Sequence, residues 1–129
     1  MSVKFSLKTA ILASAFLMPT QFAQAQSCES PKTTYEIAIC GSQDLNLADG
    51  DLNRVYQTVR SGLDKMGKKI LLDGQRSWIS YRDTECNRRA DFARGGSFEP
   101  GLRISCFVDL TSQRIHELNR NPITGEDMQ

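Results

Sequence analysis

The side chains of this 129-residue chain that could do chemistry are few: Cys28, Cys40, Cys86 and Cys106, a single histidine at His116, and carboxylate pairs such as Asp49/Asp51 and Asp83/Glu85. No Cys-x-x-Cys spacing exists and one histidine cannot complete a tetrahedral site, so a zinc centre is not expected. The run Asp49-Gly50-Asp51-Leu52-Asn53 begins like a calcium loop. That pattern wants Gly at its sixth place and Glu at its twelfth, where Arg54 and Arg60 stand. Nucleophilic catalysis needs a Ser, Cys or Thr beside a base, and His116 has no such partner motif. Glycoside hydrolysis needs two positioned carboxylates, whereas members of an i, i+2 pair diverge on a helix. The expectation is no catalytic residues, no metal and no cofactor.

Export explains the cysteines. Residues 1–25 read as a signal peptide: Lys4 and Lys8 form the charged start, Ala10 to Met18 the apolar stretch, and Ala23-Gln24-Ala25 a small-x-small cleavage site. The apolar stretch is too short to span a bilayer, which takes about 20 residues. The mature chain would begin at Gln26, and an even cysteine count in an exported chain of this size reads as two disulfides. Of the three connectivities, the local pairings Cys28 with Cys40 and Cys86 with Cys106 are favoured, because each closes a loop beside an expected helix end.

Loss of Lys4 and Lys8 takes the formal charge from +1 to −1. A nucleic-acid partner would call for a basic excess, and membrane-surface binding for a polybasic patch; neither is present. The charge is uneven, with Lys32 alone against Glu29, Glu36, Asp44, Asp49 and Asp51 in residues 26–51.

The elements that must position these residues are helical. Thr33-Thr34-Tyr35-Glu36 has the form of a capping box and predicts a short helix ending near Cys40-Gly41. A longer helix from Ser42 or Asp44 carries Leu45, Ala48, Leu52, Val55, Tyr56, Val59 and Leu63 on one stripe, with Gly67 as its stop. A second runs from about Lys68 to Ala93, with Leu71, Gln75, Trp78, Arg82, Cys86 and Arg89 on one side. Residues 94–101, rich in Gly and Pro, form a loop. A third helix follows, with Ile104, Phe107, Val108, Thr111, Ile115 and Leu118 as its stripe, and Asn121-Pro122 ends it. The fold class is all-α: a small bundle of one short and three longer helices over residues 26–120, held by two disulfides, with residues 121–129 as a flexible tail.

A resemblance becomes specific at the level of motifs. Cys28, Glu36, Ile39-Cys40, Asp49, Leu52 and Tyr56, the block Gln75-x-x-Trp78-x-x-x-Arg82-Asp83-x-x-Cys86, and Cys106 with Arg114-Ile115-x-x-Leu118 resemble the LprI family. That family comprises small exported helical domains named for a lysozyme-inhibiting lipoprotein. A lipoprotein signal would need an apolar residue three before the modified Cys; Ala25 stands there, with Gln26 between. A soluble periplasmic or secreted protein is therefore expected. The resemblance implies binding to a lysozyme or a related cell-wall glycosidase. The alternative is an envelope accessory domain serving another partner protein.

Read physically, the same motif residues are structural. Asp49 and Arg82 are expected to meet between the first two long helices and set their register, since the guanidinium fork suits a carboxylate. Trp78 and Tyr56 are expected to bury area in the core. On the loop, Phe98 is either a plug in the core or an exposed anchor for a partner, with Arg94 and Glu99 beside it.

Overall fold

The computed structural model describes residues 28–128, and the expected signal peptide lies outside the described residues. Among the described residues, three helices make the fold: α1 (Thr34–Ser61), α2 (Lys65–Ala90) and α3 (Glu99–Asn119). A single 3-10 turn, Asp91–Ala93, extends α2.

The start of α1 is the capping box. Thr33 Oγ1 accepts the Glu36 N–H at 3.1 Å, and the Glu36 carboxylate accepts the N–H groups of Thr33 and Lys32 at 3.1 and 2.7 Å. The helix then continues through Cys40-Gly41, so the expected short helix and first long helix are one helix of 28 residues. The bundle has three long helices, not one short and three longer. Gly41 does not end a helix but admits a neighbour: a Cβ there would fall 2.6 Å from Ile104 Cγ2 of α3. Ser42 caps nothing, since its hydroxyl donates to the Ala38 carbonyl at 2.8 Å within the helix. The break comes later, at Gly62, whose N–H reaches the Val59 carbonyl at 3.2 Å. Gly67, the expected stop, sits in the first turn of α2 and gives its N–H to the capping Asp64 carboxylate at 2.7 Å.

The last helix in sequence is the middle one in space. Gly41 meets Ile104 near the starts of α1 and α3, and Val59 shares a cleft with Leu118 near their ends, so α1 and α3 run parallel. On the other side, Gln75, Arg82 and Cys86 of α2 meet Arg114, Thr111 and Cys106 of α3 in falling order, so α2 is antiparallel to it. Direct packing between α1 and α2 is slight.

The core is small. Cys40, Leu52, Cys86, Ala90, Cys106, Leu110 and Leu118 are its buried apolar residues, with Thr111 buried among them. Two disulfides, Cys28–Cys40 and Cys86–Cys106, supplement it. A domain of this size buries a modest share of its surface, so covalent links that shrink the unfolded ensemble weigh heavily. Cys86 and Cys106 lie inside the core cluster with Leu110, and Trp78 and Phe107 pack against it. Beyond α3 the chain turns back: Asn121, Gly125 and Met128 donate N–H groups to the carbonyls of Glu126, Asn121 and Asn119. No helix of the described residues is long and apolar enough to cross a membrane.

Candidate functional site

Two regions gather the residues singled out by their types and spacing. The first is the groove left between α1 and α2, a consequence of both helices leaning on α3. Asp49, Tyr56, Gln75, Trp78 and Arg82 all line it, together with Arg76, in a space of about 410 Å³. Five motif residues from two helices thus share one open surface.

Arg82 organises that groove. Its side chain is 16% exposed, and Nη1 donates to Asp49 Oδ1 of α1 at 3.1 Å and to Thr111 Oγ1 of α3 at 3.2 Å. Nε reaches Asp83 Oδ1 at 3.3 Å. Its guanidinium carbon lies 5.2 Å from the Trp78 ring centre and 5.0 Å from that of Phe107. One cation therefore ties three helices through two carboxylates, a hydroxyl and two rings. Arg114 of α3 repeats the device one turn further on: it donates to Gln75 Oε1 at 3.1 Å, pairs with Glu117 at 2.9 Å, and lies 5.8 Å from the Trp78 ring centre. Trp78 and Tyr56 are half-buried and face the groove as well as the core. With a guanidinium near Trp78 from each of two helices, the ring serves packing between α2 and α3.

The second region is the end of the bundle held by the disulfides, where residues 94–98 join α2 to α3. The Gly95 φ of +75° is a backbone conformation that suits glycine. Glu99 accepts the Gly95 N–H at 2.8 Å and pairs with Arg103 at 2.7 Å, and these two contacts hold its carboxyl below the usual range. Arg94 Nε donates to Asp91 at 2.6 Å. Arg94 and Glu99 are thus engaged within the chain, fixing the loop. Phe98 is 64% exposed and points away from the core. Between the regions, Glu85 accepts from Arg88 at 2.7 Å and Arg89 at 2.9 Å, which holds its carboxyl down at about 2.

Thr111 and Phe107, expected as positions of the apolar stripe, and Arg114, expected as a motif residue, have a further part here in the contacts of Arg82 and Trp78. Thr111 looked like one more position of the apolar stripe, yet its hydroxyl is a fully buried acceptor for Arg82. A signal existed, because Arg114 follows Thr111 by three residues and Phe107 by seven, placing a second long cation on the buried side of α3. Among the described residues no group of His, Cys, Asp and Glu could hold a metal ion.

Comparison with known proteins gives this architecture a family. An uncharacterized protein of Rhizobium meliloti (strain 1021) is 34% identical over 104 residues, covering 70% of this chain and 75% of the relative. No solved structure shows a significant match. The family described as lysozyme inhibitor LprI matches residues 25–118, a span that takes in both disulfides, the Arg82 contacts and nearly all of α3. The chain belongs to the LprI family.

Proposed function

We propose that this protein is exported and inhibits a lysozyme or a related cell-wall glycosidase by binding it, with no chemistry of its own. The observation that carries this reading is the family match across all three helices and both disulfides. The geometry supports it in a second way. The segment closed by the Cys86–Cys106 bond and braced by the Glu99 contacts displays large apolar side chains to solvent, Phe98 among them. Rigid display of an aromatic anchor is what tight protein interfaces use, because little ordering entropy remains to be lost on binding.

The test is a bacterial lysis assay in which purified mature protein, beginning at Gln26, is titrated against several lysozymes. Dose-dependent loss of lysis at near-stoichiometric ratios is the expected result. A flat titration against every lysozyme overturns the reading and moves the protein to the class of envelope accessory domains with another partner.

A further inference from the structure

We infer that the seam between the first halves of α1 and α3 is the docking surface for a basic partner protein, which places an Arg or Lys between Asp44 and Asp109 and an apolar side chain against Phe98 and Leu102. That the partner is a lysozyme rests on the function proposed above; the surface itself rests on three observations.

The first is shape. A cleft of about 260 Å³ is lined from α1 by Ile37, Gly41 and Asp44 and from α3 by Ser105, Val108 and Asp109. It runs into a second, nearly apolar cleft of about 170 Å³ that shares Ile37, Gly101 and Ser105 with it and adds Phe98 and Leu102. Small residues floor this trough, so it is concave where the helices come closest.

The second is exposed apolar area in one place. Ile37, Phe98 and Leu102 are 42%, 64% and 41% exposed and all border the second cleft. Single exposed apolar residues are ordinary, but three around one depression mark an interaction surface.

The third is charge, and it selects the occupant. Asp51, Asp73, Glu85, Glu99 and Glu117 each meet a base three or four residues away. Asp44 and Asp109 pair with no base among the described residues, yet they border the same cleft from different helices. Two uncompensated carboxylates beside an apolar floor fit a long basic side chain, whose stem lies on Ile37 and Val108 while its head meets the acids. They also steer a positively charged protein during encounter. The Cys28–Cys40 bond borders the cleft and keeps it preformed.

The experiment uses the mature protein and a basic chicken-type lysozyme as probe, with calorimetric binding, amide hydrogen exchange and lysis measured in parallel. Asp44→Asn with Asp109→Asn, and separately Phe98→Ala, should each weaken the dissociation constant at least tenfold while leaving the melting temperature within about a degree of the parent. Asp73→Asn with Glu126→Gln, the same change of charge elsewhere, should bind as the parent does. Exchange protection should fall on residues 34–45 and 97–109, and affinity should drop as salt rises. Undiminished binding by the Asp44/Asp109 variant, or protection confined to the α1–α2 groove, overturns the docking surface even if lysis is inhibited. Binding with protection on the seam but no inhibition upholds the surface and counts against inhibition of this lysozyme. An absence of any binding overturns the docking surface and leaves the inhibitor reading to the titration against several lysozymes.

Discussion

Arg82 of α2 donates to the hydroxyl of Thr111 on α3 at 3.2 Å, and that hydroxyl belongs to a side chain with no exposure to solvent. The same nitrogen reaches Asp49 of α1, whose side chain is 50% exposed. The two acceptors of one cation therefore differ in what they lose when it is removed. Arg82→Ala should cost about 2–4 kcal/mol, since it strands a buried acceptor and strips cover from Trp78 and Phe107. Asp49→Ala should cost about 1 kcal/mol or less, as for other solvent-screened pairs. Thr111→Val, which keeps the volume, should cost about 1–2 kcal/mol and be nearly silent in an Arg82→Ala background. Urea unfolding of the four variants checks the series; equal losses at Asp49 and Arg82 would contradict it.

Glycines inside helices separate by their surroundings. Gly50 and Gly74 have nothing within 4 Å of an added Cβ, so Gly50→Ala and Gly74→Ala should each stabilise by roughly 0.5–1 kcal/mol through helix propensity alone. Gly41→Ala should destabilise despite the same gain, because its Cβ meets Ile104 Cγ2 at 2.6 Å. Ile104→Ala should cost less in the Gly41→Ala background than in the parent. Thermal melts of the single and double variants read all of these effects.

The two disulfides should not be equivalent. Loop entropy assigns each about 3 kcal/mol. Cys86 and Cys106 are also 0% and 3% exposed within the core cluster, whereas Cys28 is exposed. Replacing Cys86 and Cys106 by Ala should therefore lower stability more than replacing Cys28 and Cys40, and should speed limited proteolysis at Gly95-Gly96. Comparable losses for the two pairs would mean that burial adds little to the closure of the loops.

Acid should loosen the fold through Glu85. Its carboxyl is lowered from 4.5 to about 2 by hydrogen bonds from Arg88 and Arg89, so the native state holds its proton less tightly than the unfolded chain. That stabilisation is complete above the unfolded value and fades as pH falls through the native one. The melting temperature should decline between about pH 5 and pH 2, and Glu85→Gln should melt lower at neutral pH with a shallower decline over that window. Parallel curves for the two proteins would show that other carboxylates set the acid response.

Much of this was legible because helices advertise themselves locally. The Thr33/Glu36 box, the apolar stripes and the cysteine spacings depend on neighbours within a turn or a loop, and the helices and both disulfides followed from them. The merger of two expected helices into α1 was not legible. A glycine that stops a helix and one that admits Ile104 look alike until the partner is known. Likewise, Asp44 and Asp109 are 65 residues apart in sequence and only parallel packing of α1 and α3 brings them to one cleft. The open groove between α1 and α2 has the same origin, since periodicity says which face of a helix is apolar but not which helix covers it.

The placement of α3 bears on how the molecule is made. Synthesis delivers α1 and α2 first, each with an apolar face that only the later helix covers. Neither can settle until residues 99–119 emerge, and Cys86 waits unpaired until Cys106 arrives. This order concentrates the fold's dependence in the C-terminal quarter of the chain. Nonsense changes within α3 should be as damaging as the loss of either earlier helix, because each leaves two amphipathic rods with nothing between them.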